Sequence, residues 1–180
     1  MRRRQTEGFS LIEIISVIAI IAIATSILTP QFFGYIERSR NISDVTEMTE
    51  IGNALTSLLS EERKDAGSWP ERSGFAYIAV FPKRLAGSDG KTVKVSVDDD
   101  PDMSKQLWNE LDTIVDLDSI YSRSRASYLK NGYIVFLDID SSHTEYRVPK
   151  TEVAYNEFNL NDALSNILRY DSATNEVAEI

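Results

Sequence analysis

Apolar and polar positions change their spacing twice along the chain. From Ile14 to Ile36 there are 23 consecutive residues without a charge. At 1.5 Å per residue such a run makes roughly 35 Å of helix, enough to cross a bilayer. After Glu37 the spacing becomes amphipathic. Ile42, Val45, Met48, Ile51, Leu55, Leu58 and Leu59 recur at intervals of three and four, one apolar stripe on an otherwise polar helix. Arg63 and Lys64 fit a helix C-terminus and Gly67 offers a left-handed stop. A helix unbroken from Phe9 to about Arg63 would be roughly 80 Å long. Pro30 lies inside it, removes one backbone hydrogen bond and favours a kink.

Past Gly67 the pattern is mixed. Residues 67–92 combine Gly67, Pro70, Gly74, Pro82, Gly87 and Asp89-Gly90 with Trp69, Phe75, Tyr77 and Phe81, which reads as a loop with a packed aromatic strip across the C-terminal half of the helix. Val93, Val95 and Val97 alternate as in a half-buried strand. Asp100-Pro101-Asp102 starts a helix whose apolar face is Met103, Leu107, Leu111, Ile114 and Val115. Asn131-Gly132 predicts a tight turn between strands at Ala126–Leu129 and Tyr133–Ile139. A second turn, Asp140–His143, leads into Thr144–Val148. Leu160, Ala163, Leu164, Ile167 and Leu168 predict a short amphipathic helix capped by Asn159 or Asn161. The fold class is therefore α+β, a long N-terminal helix under a small antiparallel sheet of three or four strands.

Composition narrows the function classes. The chain has 19 basic and 28 acidic side chains, net −9. Three of the arginines and one glutamate fall in the first eight residues, so the remainder is more acidic still, at −11. Such a surface repels phosphate backbones, and no strong general nucleic-acid binding is expected. The absence of cysteine excludes a disulfide framework, a thiolate metal site and covalent c-type haem. About 145 residues follow the apolar run, enough for one compact domain.

The apolar run has one unusual feature. Glu13 stands at its start, between Leu11-Ile12 and Ile14-Ile15. A carboxylate at that depth is costly unless paired, which makes it a functional candidate. A plain signal anchor gains nothing from it. A cleaved secretory signal, with Ala22-Ile23-Ala24 as its cut site, has no need of the apolar residues that continue to Phe33. A twin-arginine signal would follow Arg3-Arg4 with apolar residues, where Gln5-Thr6-Glu7 stands.

Arg2-Arg3-Arg4, then Gly8-Phe9, Glu13 and Pro30-Gln31-Phe32, resembles the N-terminus of type IV pilins and type II secretion pseudopilins, continuously from about Gly8 to Phe33. The resemblance implies three parts: a leader, 1–8, that is removed; a transmembrane and polymerisation helix half, 9–36; and a globular head, 37–180, that includes the amphipathic helix half. It implies that a prepilin peptidase cuts between Gly8 and Phe9 and N-methylates Phe9. It pairs Glu13 of an incoming subunit with the Phe9 ammonium of a neighbour, and makes Pro30 the helix kink. Ala22 stands where many family members carry glycine, and the C-terminal disulfide of many pilins is missing. The function implied is a structural, non-enzymatic subunit of a pilus, self-assembled as a helical homopolymer and serving adhesion, twitching motility or DNA uptake. Implied partners are the peptidase, an inner-membrane assembly platform, minor pilins and, before assembly, the lipid bilayer. The chain would move from the cytoplasmic membrane to the cell-surface pilus. A pseudopilin of a type II secretion system and a non-polymerising, membrane-anchored binding module are the alternatives.

Catalytic and cofactor signals are thin, and no cofactor is expected. His143, the single histidine, falls in a predicted hairpin turn without partners for a triad or zinc site. Asp98, Asp99, Asp100 and Asp102 could offer oxygens to calcium, but their spacing is not that of an EF-hand, and helix starts favour acidic residues anyway. Asn41-Ile42-Ser43 matches a glycosylation acceptor, as many chance triplets do.

Overall fold

The computed structural model describes residues 9–60, 74–98, 100–160 and 166–179. Gly8, the Arg63–Gly67 helix stop, Trp69, Pro70, Asp99, Asn161, Ala163 and Leu164 lie outside them. The chain divides into two compact units, 1–38 and 39–180. Helix α1, Leu11–Ser60, contributes residues to both and contains Pro30.

In the first unit the α1 side chains are exposed without exception up to Ile36. It is a helix long and apolar enough to cross a membrane, with a mean hydropathy of 2.6 over its most apolar window.

In the second unit the predicted stripe is buried. Met48, Ile51 and Leu55 are fully enclosed and Leu58 nearly so, whereas Ile42 at the start of the stripe is 58% exposed. These residues pack against a six-stranded antiparallel sheet with strands β1 (Phe75–Val80), β2 (Val93–Val97), β3 (Tyr133–Asp138), β4 (His143–Pro149), β5 (Ile167–Asp171) and β6 (Glu176–Ala178). The sheet order is β2-β1-β3-β4-β5-β6, with Ile78 opposite Val135 and Ile134 opposite Arg147. The period of two sorts β1 and β3 onto two faces. Ala76, Ile78, Val80, Tyr133, Val135 and Leu137 join the α1 side. Tyr77, Ala79, Phe81, Ile134 and Phe136 form a second cluster closed by Phe158 and Ile167. Both central strands are therefore apolar on both faces.

Helix α2, Pro101–Asp112, begins as expected. Asp100 is its N-cap and accepts from the Asp102 and Met103 amides, Pro101 opens it, and Met103, Leu107 and Leu111 are buried. Ile114 lies beyond its end and is half exposed. The β3–β4 hairpin also follows the predicted pattern, with the Asp138 carboxylate accepting from the Asp140 and Ser141 amides in its turn.

Four expectations fail. The stretch Phe75–Val80, read as loop, is a central strand: the glycines and prolines around it bound an apolar run that pairs on both edges. The strand expected over Ala126–Leu129 does not form, and Tyr128–Asn131 is a 3-10 turn. Ile167 and Leu168, whose spacing predicts a helix, instead lie in β5 and pair with Pro149 and Val148 of β4. With β1, β5 and β6 added, the sheet exceeds the three or four strands expected.

Two close approaches fix the helix and turn geometry. Gly132 has φ +98, and a Cβ there would fall 2.2 Å from the Val80 carbonyl oxygen, so only glycine fits the turn into β3. On α1, a Cβ at Gly52 would meet the Tyr146 hydroxyl at 2.6 Å. Elsewhere Asn41 Nδ2 donates to Asn175 Oδ1 at 3.0 Å, joining α1 to the β5–β6 turn, and Asn175 is in the left-handed region at φ +59.

Candidate assembly site at the start of the long helix

Glu13 is not an isolated carboxylate in the free chain. Its Oε2 accepts from the Ser10 amide at 3.1 Å and from the Ser10 hydroxyl at 3.2 Å, and its own amide donates back to Ser10 Oγ at 3.3 Å. This is a reciprocal capping box, Ser at the N-cap and Glu three residues on, which satisfies two otherwise orphaned amide donors. The negative charge also faces the positive end of the helix dipole. Ser-x-x-Glu was legible in the sequence, and Ser10 is a site residue that sequence reasoning missed. Phe9 lies immediately before it and is 84% exposed. All these groups are open to a partner, because no other described side chain covers them.

The rest of the apolar segment leaves little hydrogen-bonding capacity unused. Ser16, Thr25, Ser26 and Thr29 donate their hydroxyls to the carbonyls of Ile12, Ile21, Ile23 and Thr25, at 2.6–2.7 Å. Polar side chains in an apolar medium need such internal partners. Pro30 lacks an amide proton, so the Ser26 carbonyl goes without its usual helical donor. Glu13 carries the one carboxylate of the described residues in the span, and its hydrogen bonds are confined to Ser10.

A second polar anchor lies in the head, and no periodicity announced it. Asp44 is fully buried on α1. Its carboxylate accepts from the Arg123 amide at 2.8 Å, the Ser124 amide at 2.9 Å and the Ser122 hydroxyl at 3.2 Å. One turn on, Glu47 Oε1 pairs with the Arg123 guanidinium. Burial pushes the Glu47 carboxyl above its ordinary range, and the guanidinium only partly opposes this. Arg123 also stacks its guanidinium 4.6 Å from the Tyr121 ring centre. These contacts tie the irregular segment 121–124 to the helix.

The remaining candidates are engaged locally. Asp98 accepts from the Phe75 amide at 2.9 Å, and Asp100 caps α2. Among the described residues no three acidic or histidine side chains are grouped so as to hold a metal ion. His143 is the exposed first residue of β4, opposite Asp138, and approaches Glu145 at 3.8 Å.

Residues 3–29 match the family described as the prokaryotic N-terminal methylation motif. The chain is 33% identical over 89 residues to the type IV major pilin protein PilE1 of Neisseria gonorrhoeae, covering 49% of this chain and 47% of that one. It is 34% identical over 80 residues to the fimbrial protein EcpC of Eikenella corrodens, covering 44% and 50%. A fimbrial protein of Pseudomonas aeruginosa is 25% identical over 149 residues, covering 83% and 90%. The chain thus spans about half the length of the first two relatives. No solved structure matches. The chain thus carries the N-terminal methylation motif and is similar to type IV major pilin and fimbrial proteins. Pilins are structural proteins, not enzymes.

Proposed function

We propose that this chain is a structural pilus subunit that polymerises through the first half of α1. The observation that carries the reading is Glu13: a carboxylate at the head of a helix that is apolar and exposed on every side, held only by the local contacts of Ser10. Cleavage between Gly8 and Phe9 would create an ammonium four residues before it. Methylation of that nitrogen keeps its charge. In the filament the Glu13 carboxylate meets the Phe9 ammonium of a neighbouring subunit, and the apolar flanks of α1 pack against one another instead of against lipid. Pro30 is where the helix yields to fit the lattice, since the hydrogen bond it lacks cannot be lost again. The prepilin peptidase, an assembly platform and minor pilins act on the membrane-held precursor, 9–36 is the polymerising part, and 37–180 is the head displayed on the pilus surface. Adhesion, twitching motility and DNA uptake are the activities such a fibre supports.

Mass spectrometry of the assembled protein tests the processing: the first residue is expected to be N-methylated Phe9. A mature start after Ala24 would defeat the proposal. Glu13→Ala tests assembly. Removing one partner of a desolvated pair costs about 3–5 kcal/mol, at least a hundredfold per addition step. The variant is expected to be processed and retained in the membrane while sheared filaments are lost. Glu13→Gln is expected to fail nearly as badly, because an amide does not neutralise the ammonium. Wild-type filament yield from both variants would leave a plain membrane anchor as the better reading.

A further inference from the structure

Charge is unevenly spread over the head. Residues 39–180 carry 15 basic and 25 acidic side chains, yet 81–86 and 120–137 together hold five basic residues and no acidic one. The two stretches lie against each other. The Ser122 amide donates to the Phe81 carbonyl at 3.2 Å, and the Arg84 guanidinium donates to the Lys130 carbonyl at 2.7 Å. Lys83 Nζ and the Arg123 guanidinium lie 4.1 and 4.6 Å from the centre of the same Tyr121 ring. Arg84 is paired with Glu152 and Arg123 with Glu47. Lys83, Arg84, Arg125 and Lys130 are exposed.

Beside these loops the sign reverses. From Glu110 to Asp118 four of nine residues are acidic and none is basic. Ile114 and Asp116 line an open groove with Glu47, Glu50, Ala54 and Ser57 of α1. Ile114 is half exposed, and Glu50, Asp116 and Asp118 are exposed as well. The groove and the basic loops form one continuous surface, because Glu47 of the groove is the ion-pair partner of Arg123. Helix α1 sets their spacing. Residues 122–124 bond to Asp44, whereas the groove extends along the helix to Ser57. The acidic part is thus displaced towards the C-terminal end of α1 by roughly two turns, or about 11 Å. A groove with an apolar wall and carboxylates suits a lysine or arginine, whose stem packs on Ile114 while its cation meets Glu50 and Asp116.

We propose that the basic loops, through Lys83, Arg125 and Lys130, dock on the acidic groove of a second copy of this chain, shifted along α1. The inference rests on the reading that the chain polymerises, and adds to it a contact between heads. Copies whose spans enter one membrane hold their helices parallel. Side by side at one level they set like charge against like, which is unfavourable. A shift along the helix brings basic loops over an acidic groove. Each copy then uses one face towards the copy ahead and another towards the copy behind, a heterologous contact that continues instead of closing on a pair. Contacts between exposed charges are weak and screened by salt. This one becomes effective where the spans already hold the copies together. A nucleic acid suits the surface less well, because its phosphates would face the groove's carboxylates within about one Debye length, roughly 10 Å.

The test uses the full chain in cells that assemble it. Arg125→Glu with Lys130→Glu is expected to lower the yield of sheared filaments about tenfold, since like charges then meet across the contact. Adding Asp116→Lys and Asp118→Lys is expected to restore the yield to within about twofold, as a charge swap does for residues that interact directly. The chain has no cysteine, so Asp116→Cys with Lys130→Cys supplies a second readout. A short thiol cross-linker should give a ladder of oligomers in filaments of that variant and none in either single variant. Wild-type yield from the charge-reversed chain would overturn the contact and leave the Glu13 pairing standing. If that chain also lost retention of a duplex DNA probe, the loops would be a polyanion site instead. Filaments of the double-cysteine variant without the ladder, or dimers from a single variant, would equally overturn it. A wild-type chain that yields no filaments defeats the polymerisation reading itself, and this contact with it.

Discussion

The two stretches of α1 meet opposite demands with the same backbone. Up to Arg38 it carries isoleucines in every direction, and Ile18, Ile20, Ile21 and Ile23 are 58–66% exposed. From Ser39 onward it keeps its apolar residues to one stripe, and Met48, Ile51 and Leu55 are fully buried by the chain's own sheet. The polar residues divide only in part. Hydroxyls in the first stretch turn inward to their own helix carbonyls, as at Ser16 and Thr25. Thr46 and Thr49 in the second do the same, but there Asn41 and Asp44 also reach other elements, Asn41 to Asn175 and Asp44 to residues 122–124. An all-round apolar helix requires its burial from outside the chain, whether lipid or like subunits, and an amphipathic one requires a domain of its own.

The sharpest way to break this contrast is at Asp44. Asp44→Ala leaves the Arg123 and Ser124 amides without their acceptor, at about 1–3 kcal/mol each, while the Ser122 hydroxyl keeps the Leu129 carbonyl at 2.6 Å. Thermal melting of the head is expected to fall by at least as much as a typical apolar core truncation produces, with the α1 span unaffected in membrane retention. Next comes Leu55→Ala, expected to cost about 2–5 kcal/mol through a cavity, set against Ile20→Ala, which removes an exposed side chain and should leave head melting unchanged. Equal losses from the two substitutions would erase the distinction between the stretches. Ser10→Ala is a smaller change. It removes the N-cap at about 1 kcal/mol and is expected to fray the first turn, seen as faster exchange of the Glu13 amide, without altering the head.

The smallest effect is a pH slope. Glu47 has its folded pKa raised, so its contribution to stability is fully present below the unfolded carboxylate range and is lost as pH rises through the raised value. Asp138 and Asp171 are lowered, Asp138 chiefly by the Ser141 side chain and Asp171 by the Ala173 amide. Their contribution is present above the unfolded range and lost as pH falls below it. Denaturant titrations should therefore show head stability rising gently as pH drops from neutral, then falling at strong acid. Glu47→Gln should remove the first limb and leave the second. An unchanged first limb in that variant would assign the slope elsewhere.

Much of the fold was legible because its signals are local. The α1 stripe, the alternation of β2, Asp100 at the start of α2 and the β3–β4 hairpin all repeat or cap within a few residues. Strand β1 escaped because glycine and proline density around Phe75–Val80 outweighed a six-residue apolar run whose neighbours in the sheet are far away in sequence. Strand β5 escaped because Ile167 and Leu168 happen to continue a helical spacing from Leu160, and only pairing with β4 distinguishes the two. Glu13 was legible as an oddity in an apolar run. Its pairing with Ser10 was equally open to sequence reading, as Ser-x-x-Glu. Asp44 was not, because one acid among the polar residues of a helix acquires meaning only when residues 122–124, nearly 80 positions later, arrive to use it.

The bond from Asn41 to Asn175 bears on when the chain could be decorated with sugar. An oligosaccharide transferase needs the amide nitrogen of its acceptor asparagine free and the backbone around it extended. Here that nitrogen belongs to a helical residue and donates to Asn175, which the β5–β6 turn supplies near the C-terminal end of the sequence. In the folded head the Asn41-Ile42-Ser43 triplet is thus helical, with its asparagine engaged by Asn175 while Ile42 stays exposed. A glycan at Asn41 is therefore attached more readily to a nascent or unfolded chain than to a head that has folded first.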